Sequence, residues 1–168
     1  MTIRPEQTED IAGIHQVIQA AFGQPDEANL VDKLRANGKA VISLVAEAEG
    51  QIVGHIFFSE VTLATNPQAV KVIGLAPLAV LPAWQKRGVG SQLTRAGLAA
   101  CRDAGFDAAI VLGHPEYYPR FGFVPASRFG IHSEYKVRDE AFMAMALRAG
   151  ALAGCSGLAK YQPEFNEV

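Results

Sequence analysis

The sequence predicts a mixed α/β fold, because two kinds of hydrophobic pattern alternate along its 168 residues. Apolar residues recur at helical spacing from residue 11 and again from residue 89, which predicts amphipathic helices. Short β-branched and apolar runs at 41–46, 51–63 and 108–112 predict buried strands. Hairpin connections come first and a helical crossover follows, so the expected sheet contains both antiparallel and parallel pairs.

Turn residues divide the chain into further elements. A second helix is expected from Asp26 to the Asn37-Gly38 pair, which is typical of a helix end. Asn66-Pro67 marks a turn before a long strand at 70–81. The last strand is expected at 141–147, and residues beyond Gly150 show weak periodicity that predicts a tail along the surface.

Composition is that of an ordinary globular protein. Hydrophobic residues make up 49% of the chain and charged residues 19%, with a formal net charge of -2. This charge provides no general attraction to nucleic acids or anionic membranes, so neither is an expected partner. Cys101 and Cys155 lack metal-ligand spacing and favour inert thiols in a reducing compartment. The first residues lack the apolar core of a signal peptide, and no apolar stretch is long enough to span a bilayer, so a cytoplasmic location is expected by default.

The most informative stretch, at 77–93, reads as an apolar strand, a basic turn and a helix. Gly88 and Gly90 lie at the predicted helix start, where backbone N–H groups have no partners and the helix dipole is positive. Lys86 and Arg87 add full positive charges at the same place. This pattern predicts a binding site for a phosphate-bearing ligand.

Two common phosphate motifs do not fit this stretch. A Walker loop requires lysine after its glycines, whereas Lys86 precedes them. A dinucleotide fingerprint requires a third glycine, but Leu93 lies there. Dinucleotide-binding proteins also carry an acidic residue about 20 residues further on, at the end of the next strand, where it binds the ribose. Asp107 lies at the start of the next predicted strand, so it does not match this position.

Three segments resemble the GNAT superfamily of acyl-CoA-dependent N-acetyltransferases. Residues 85–90 match its Gln/Arg-x-x-Gly-x-Gly/Ala turn, residues 78–82 resemble its central strand, and residues 118–123 resemble its Tyr-x-x-x-Gly-Phe segment. Residues 111–118 with the late segment 142–145 are further similar to one bacterial subgroup. The resemblance implies a mostly antiparallel sheet of six or seven strands flanked by about four helices, with a bulged, splayed central strand. It implies one domain at 1–148, with 149–168 as a C-terminal extension packed on it.

The resemblance also implies an activity, the transfer of an acetyl group from acetyl-CoA directly to an amine of a small molecule or protein. The turn would hold the pyrophosphate, and Leu78 and Val80 would hydrogen-bond the pantetheine arm and polarise the acetyl carbonyl. Tyr118 would be the general acid that protonates the departing thiolate. The cofactor-binding residues so implied are Leu78, Ala79, Val80, Gln85, Lys86, Arg87, Gly88, Val89, Gly90 and Ser91.

The sequence contains no motif that identifies the general base or the protein partners. Glu60, near the end of a predicted strand, is one candidate base. The four histidines lack ligand spacing, so no metal is expected, and His55 is interpreted as a core or rim residue. A homodimer through the sheet edges is compatible with the fold. The alternative function is a non-catalytic acyl-CoA sensor or interaction module.

Overall fold

Strands form most of the framework that positions the candidate site. The computed structural model describes residues 1–64, 70–153 and 155–168. Within these residues nine strands are present, more than the six or seven expected. They are β1 (Thr2–Pro5), β2 (Ile42–Ala48), β3 (Gln51–Ala64), β4 (Val72–Val80), β5 (Ala108–Leu112), β6 (Val124–Pro125), β7 (Ile131–Ser133), β8 (Phe142–Ala146) and β9 (Gly157–Lys160).

The α-helices number three in the described residues, where about four were expected. They are α1 (Ile11–Phe22), α2 (Asp26–Ala36) and α3 (Val89–Asp103). The segment that follows β5 forms only a single 3₁₀ turn, Tyr118–Phe121, with Pro119 inside it. None of the helices in the described chain has the length and apolarity that a membrane crossing requires.

The sheet is mixed and mostly antiparallel, which confirms the predicted fold class. Its hydrogen-bonded order is β1-β2-β3-β4-β5-β8-β6, and β9 pairs with both β3 and β7. Antiparallel ladders join β1 to β2, β2 to β3, β3 to β9, β5 to β8 and β6 to β8. The β4–β5 and β7–β9 ladders are parallel. The chain reaches β5 from β4 through α3, because parallel neighbours need such a crossover.

Two compact units divide the chain. The first contains Met1–Phe58, Ala76–Gly97 and Pro163–Val168. Its core is the apolar face of α1 and α2, packed against side chains of β2, β3 and β4. The members include Ile14, Val17, Ile18, Ala28, Val31, Leu34, Val45, Phe57 and Ala79.

The second unit contains Ser59–Leu75 and Leu98–Gln162. Its central strand β5 is buried from Ala108 to Val111. Asp107, just before β5, holds two neighbouring segments: its carboxylate accepts the backbone N–H of Lys71 at 2.9 Å and the Nε of Arg148 at 3.0 Å. These contacts fix the starts of β4 and β5 beside each other.

The C-terminal segment differs from its prediction, because 141–147 does not contain the last strand. β9 pairs Thr62 with Lys160 and Ala64 with Leu158, inside the second unit. This short strand has weak periodicity, and its pairing with β3 joins residues that are far apart in sequence. Pro163–Glu167 then forms a 3₁₀ helix in the first unit, where the Glu164 carboxylate accepts hydrogen bonds from Asn37 and Lys39.

The start of β4 and the turn before it were also predicted from the sequence. β4 begins at Val72 instead of residue 70. The turn expected at Asn66-Pro67 lies outside the described residues. The predicted helices at 11–22 and from residue 26 are present as α1 and α2.

Candidate active site

The turn between β4 and α3 has an unusual backbone. A 3₁₀ turn, Pro82–Trp84, is followed by Gln85 in an extended conformation. Lys86 then has φ +62° and Gly88 has φ +86°, both in the left-handed region. Glycine adopts this region freely, whereas lysine does so at a cost that is often found at functional sites. The turn therefore bends sharply just before α3 begins at Val89.

This bend leaves backbone donors available at the start of α3. Within the described residues, no backbone carbonyl accepts from the N–H groups of Lys86, Arg87, Gly88, Val89 or Gly90. The carbonyl of Gly88, just before α3, accepts from Gln92 N at 3.1 Å. Partnerless N–H groups and a positive dipole end bind anions. The turn therefore has the features on which the predicted anion site depends, and the site itself stays a prediction.

Side chains of the turn add charge and hold its shape. Lys86 and Arg87 are exposed, and the Arg87 guanidinium lies 4.1 Å from the centroid of the Trp84 ring. Gln85 Nε2 donates to the carbonyl of Val80 at 3.0 Å, which closes the turn onto the end of β4. A cation stacked on indole stays accessible to a ligand phosphate while its side chain is restrained.

Two glycines that the sequence analysis did not single out let α3 pack closely on β3. A Cβ at Gly54 would lie 2.9 Å from Leu93 Cδ1 and 3.0 Å from Val89 Cγ1. A Cβ at Gly97 would lie 2.5 Å from Phe58 Cε2. Both contacts lie in the first unit. The start of α3, and with it the turn, is therefore held against β3. The need for these two glycines is visible only once α3 is packed on β3.

The end of β4 lies next to the turn in the same unit. Ala79 is buried, while Leu78 and Val80 are partly exposed. On β4, the ladder with β5 runs from Val72 to Leu75. It includes no later pair among the described residues, although β4 continues to Val80. The splayed central strand stays a prediction. The bulge on β4 stays a prediction.

Tyr118 lies in the second unit, at the start of the 3₁₀ turn that follows β5. Its side chain is 8% exposed and packs against the backbone of Gly113, where a Cβ would collide with its ring. The rings of Tyr117 and Phe123 meet it edge-on, at centroid distances of 5.0 and 5.8 Å. Burial, and then the neighbouring Tyr117, raise the pKa of the Tyr118 phenol above its usual value. It therefore remains a proton donor at neutral pH.

Glu60 lies on β3 in the second unit and is exposed, while its neighbours Ser59 and Val61 are buried. Successive strand residues point to opposite faces, so its carboxylate points to solvent. Its backbone carbonyl accepts from Gln162 Nε2 at 3.0 Å. Gln162 comes from the C-terminal segment, which therefore contacts the strand that carries this candidate base.

Of the histidines, His55 is placed as a structural residue. His55 is fully buried, with Nε2 2.8 Å from Ser43 Oγ, and burial lowers its pKa to about 3. It stays neutral and lies on β3 in the first unit, opposite Val45 of β2. His114 and Glu116 are exposed, and the carbonyl of His114 accepts from Tyr117 N at 3.1 Å. In the described residues no three His, Cys, Asp or Glu side chains are grouped as metal ligands.

The sequence of this chain is similar to those of known acetyltransferases. Residues 2–126 match the model of the acetyltransferase (GNAT) domain. The chain is 35% identical, over 99% of both chains, to the uncharacterized N-acetyltransferase YhbS of Escherichia coli K12. It is 40% identical to the uncharacterized N-acetyltransferase YjhQ of the same strain, over 78% of this chain and 74% of YjhQ.

Solved structures show the same fold. The crystal structure of Escherichia coli YhbS in complex with CoA has a TM-score of 0.92 and 34% identity, over 98% of this chain and 91% of that one. A GNAT family acetyltransferase from Brucella melitensis in complex with acetyl-CoA has a TM-score of 0.78 and 36% identity, over 98% and 97%. The chain belongs to the GNAT acetyltransferase family.

Proposed function

We propose that this protein is an acetyl-CoA-dependent N-acetyltransferase that transfers the acetyl group directly to an amine. The observation that carries the proposal is the row of N–H groups from Lys86 to Gly90, which donate to no backbone carbonyl of the described residues. They lie at the positive end of α3, beside two cationic side chains. A pyrophosphate fits such a site because it offers several anionic oxygens to several fixed donors. The relatives that bind CoA or acetyl-CoA support this assignment.

The end of β4 would bind the rest of the cofactor. Leu78 and Val80 would offer backbone groups to the pantetheine amides and to the acetyl carbonyl. A backbone N–H aimed at the developing oxyanion contributes about 3–4 kcal/mol to transition-state stability in other acyl-transfer enzymes. Support for this role comes from the position of Leu78 and Val80 at the end of β4, shortly before the turn, and from their partial exposure.

The chemical step needs a proton donor and a proton acceptor. The amine nitrogen attacks the thioester carbonyl carbon, a C–N bond forms, and the C–S bond breaks. Tyr118 would give its phenolic proton to the thiolate, and Glu60, which is exposed to solvent, would accept the proton that the amine loses, through water. The proton accepted by Glu60 then returns through solvent to Tyr118, so that both groups regain their starting protonation states. The raised pKa of Tyr118 supports its role as an acid.

The remaining expectations belong to the same proposal. A single acetyltransferase domain at 1–148 with a packed extension at 149–168 is supported by the contacts of β9 and Glu164. Cytoplasmic location stays a prediction, as does a homodimer through the sheet edges. Cys101 and Cys155 are buried, unpaired thiols, in keeping with a reducing compartment.

Thermal unfolding with and without ligands tests the cofactor assignment. Acetyl-CoA at a hundred times its Kd is expected to stabilise the protein by about 2.7 kcal/mol, or about 5–11 °C in Tm for a chain of this size. NAD at the same concentration serves as the control and should produce no shift. A Tm that responds to NAD and not to acetyl-CoA or CoA would refute the proposal.

An amine panel then separates enzyme from sensor. With acetyl-CoA and an acceptor, an acetyltransferase releases the CoA thiol, which is measured as free thiol. Binding of acetyl-CoA without thiol release for any amine in a broad panel would favour a non-catalytic acyl-CoA sensor. Cofactor binding alone therefore does not decide between these two functions.

A further inference from the structure

Gly113 lies against the ring of Tyr118 in the second unit. Gly113 directly follows β5, and Tyr118 begins the 3₁₀ turn a few residues later. A Cβ at Gly113 would lie 2.4 Å from Tyr118 Cε2, 3.0 Å from Cδ2 and 3.5 Å from Cζ. The closest ring atom, Cε2, is bonded to Cζ, which carries the hydroxyl. The contact is therefore made near the end of the ring that would donate the proton.

The backbone of Gly113 is held in place by the sheet. Its N–H donates to the carbonyl of Ala141 at 2.9 Å, next to the last β5–β8 pair, Leu112 with Phe142. The φ angle of Gly113 lies outside the left-handed region, so the conformation of the chain does not itself require glycine here. The need for a glycine at this position comes from the ring that lies on it.

Aromatic residues of the same segment contact the Tyr118 ring from other sides. Tyr117 and Phe123 meet it edge-on, and the Phe121 ring lies 6.4 Å away at an interplanar angle of 56°. Arg120 in turn holds Tyr117: its Nε donates to the Tyr117 carbonyl at 2.9 Å, and its guanidinium lies 4.5 Å from the centroid of the Tyr117 ring. The Tyr118 ring is therefore packed between a fixed backbone and a restrained neighbour.

This packing determines where the Tyr118 hydroxyl lies. A general acid must be within hydrogen-bond reach of the atom that it protonates. Carbon atoms in contact are about 3.5–4.0 Å apart, so a methyl group at Gly113 would displace the ring by about 1 Å. A displacement of that size can lower the rate of an enzyme about a hundred-fold.

We propose that Gly113 and Arg120 are positioning residues that act through Tyr118. Gly113 leaves room for the Tyr118 ring, and Arg120 holds Tyr117 against it, so that together they set the place from which the hydroxyl gives its proton. The inference rests on the proposed acetyltransferase function with Tyr118 as its acid. Neither residue needs to touch acetyl-CoA or the amine for this role.

Steady-state kinetics of Gly113→Ala test the proposal on the full chain, with acetyl-CoA and an acceptor from the amine panel. We expect kcat to fall about ten- to a hundred-fold, while the Kd for acetyl-CoA stays constant. Gly130→Ala is the matched control in the same unit. Gly130 has φ +70°, and its Cβ would lie 3.1 Å from Ser156 Cβ, so this variant should lose stability in urea but retain kcat.

A double-mutant cycle separates positioning from a general structural role. In the Tyr118→Phe background the proton donor is already absent, so Gly113→Ala should cause no further loss of kcat. An equal loss in both backgrounds, an unchanged kcat, or an equal loss in Gly130→Ala would overturn the role of Gly113.

Arg120→Gln is a second variant, which leaves the core intact because Arg120 is exposed. Loss of an exposed cation–π contact should lower kcat about two- to five-fold, and this loss should disappear in the Tyr118→Phe background. Arg128→Gln removes another exposed arginine of the same unit and should retain kcat. Should Gly113→Ala fail to fold, an unchanged kcat in Arg120→Gln overturns the proposal.

The ring signals of Tyr118 separate this proposal from the proposed function. The chain has four tyrosines, so their ring ¹³C signals can be assigned with single Tyr→Phe variants. The Tyr118 signals should shift in Gly113→Ala and stay unchanged in Gly130→Ala. Unshifted signals in Gly113→Ala refute the placement by Gly113, whatever the activity. Shifted signals in a protein that releases no CoA thiol with any amine refute the acetyltransferase function, and with it the catalytic use of this placement.

Discussion

Gly97 of α3 and Phe58 of β3 are so close that a methyl group cannot be added between them. A Cβ at Gly97 would lie 2.5 Å from Phe58 Cε2 and 2.8 Å from Phe58 Cζ. Phe58 is fully buried, so its ring has little freedom to move aside. This contact sets how near α3 lies to β3.

Gly97→Ala is therefore expected to destabilise the protein. Overpacking costs about 1–3 kcal/mol, and the better helix propensity of alanine offsets up to about 1 kcal/mol of that. Gly13→Ala in α1 is the matched control, because its Cβ would meet Ile52 Cγ1 at 3.2 Å, a contact that a small shift relieves. Urea unfolding compares the two. Equal stability changes would show that α3 does not depend on this contact.

Gly88→Ala is expected to weaken acetyl-CoA binding through the backbone. Gly88 has φ +86°, and its Cβ would have open space apart from Gln92 Nε2 at 4.0 Å, so the cost is conformational, about 1–2 kcal/mol. If the turn relaxes to avoid this cost, its N–H groups lose their alignment, and the Kd for acetyl-CoA rises about ten-fold.

Gly23→Ala provides the control for this prediction. Gly23 has φ +72° with nothing near its Cβ and ends α1, so it carries the same kind of backbone cost away from the turn. Calorimetric titration should show an unchanged Kd for acetyl-CoA in Gly23→Ala. Similar affinity losses in both variants would mean that the effect is global destabilisation.

Tyr118→Phe is expected to lower kcat by about 10²–10⁴ while the Kd for acetyl-CoA stays nearly constant, because only the proton donor is removed. Tyr117→Phe is the neighbouring control and should retain kcat. The raised pKa of Tyr118 has a further consequence: an acid acts while protonated, so any alkaline loss of rate due to Tyr118 should begin above pH 10. An unchanged kcat in Tyr118→Phe would exclude it as the acid.

Buried His55 predicts a loss of stability in mild acid. Burial, the largest cause, lowers its pKa from 6.5 to about 3 in the folded protein. Between these values the unfolded chain binds a proton that the folded chain does not, so stability is full above pH 6.5 and declines as the pH falls toward 3. The loss between pH 7.5 and pH 5.0 is expected to be on the order of 2 kcal/mol.

Urea unfolding of His55→Gln at both pH values checks this expectation. The variant lacks the titrating ring but can keep a polar contact with Ser43, so its stability should change less between the two pH values. The partly exposed His15 and the exposed His114 and His132 are common to both proteins and cancel in the comparison. A pH dependence identical to that of the natural sequence would assign the acid sensitivity to other groups.

Much of the fold followed from local patterns. The helical spacing of Ile14 and Ile18 and the apolar run at 108–112 correspond to α1 and β5. The turn at 85–90 was also readable, since glycines and basic residues at a helix start have a local physical role. By contrast, β9 was not predicted, because its own four residues carry little periodicity and its partner β3 is distant in sequence.

The sequence by itself determined the class of fold and the family and predicted an anion site at the β4–α3 turn, because each depends on the pattern of neighbouring residues within a segment. Only the tertiary structure decided why Gly54 and Gly97 must be glycines, that Tyr118 is buried with a raised pKa, and that Glu134 meets Tyr161. These features arise from side chains far apart in the chain. Their packing and desolvation exist only after the strands have paired.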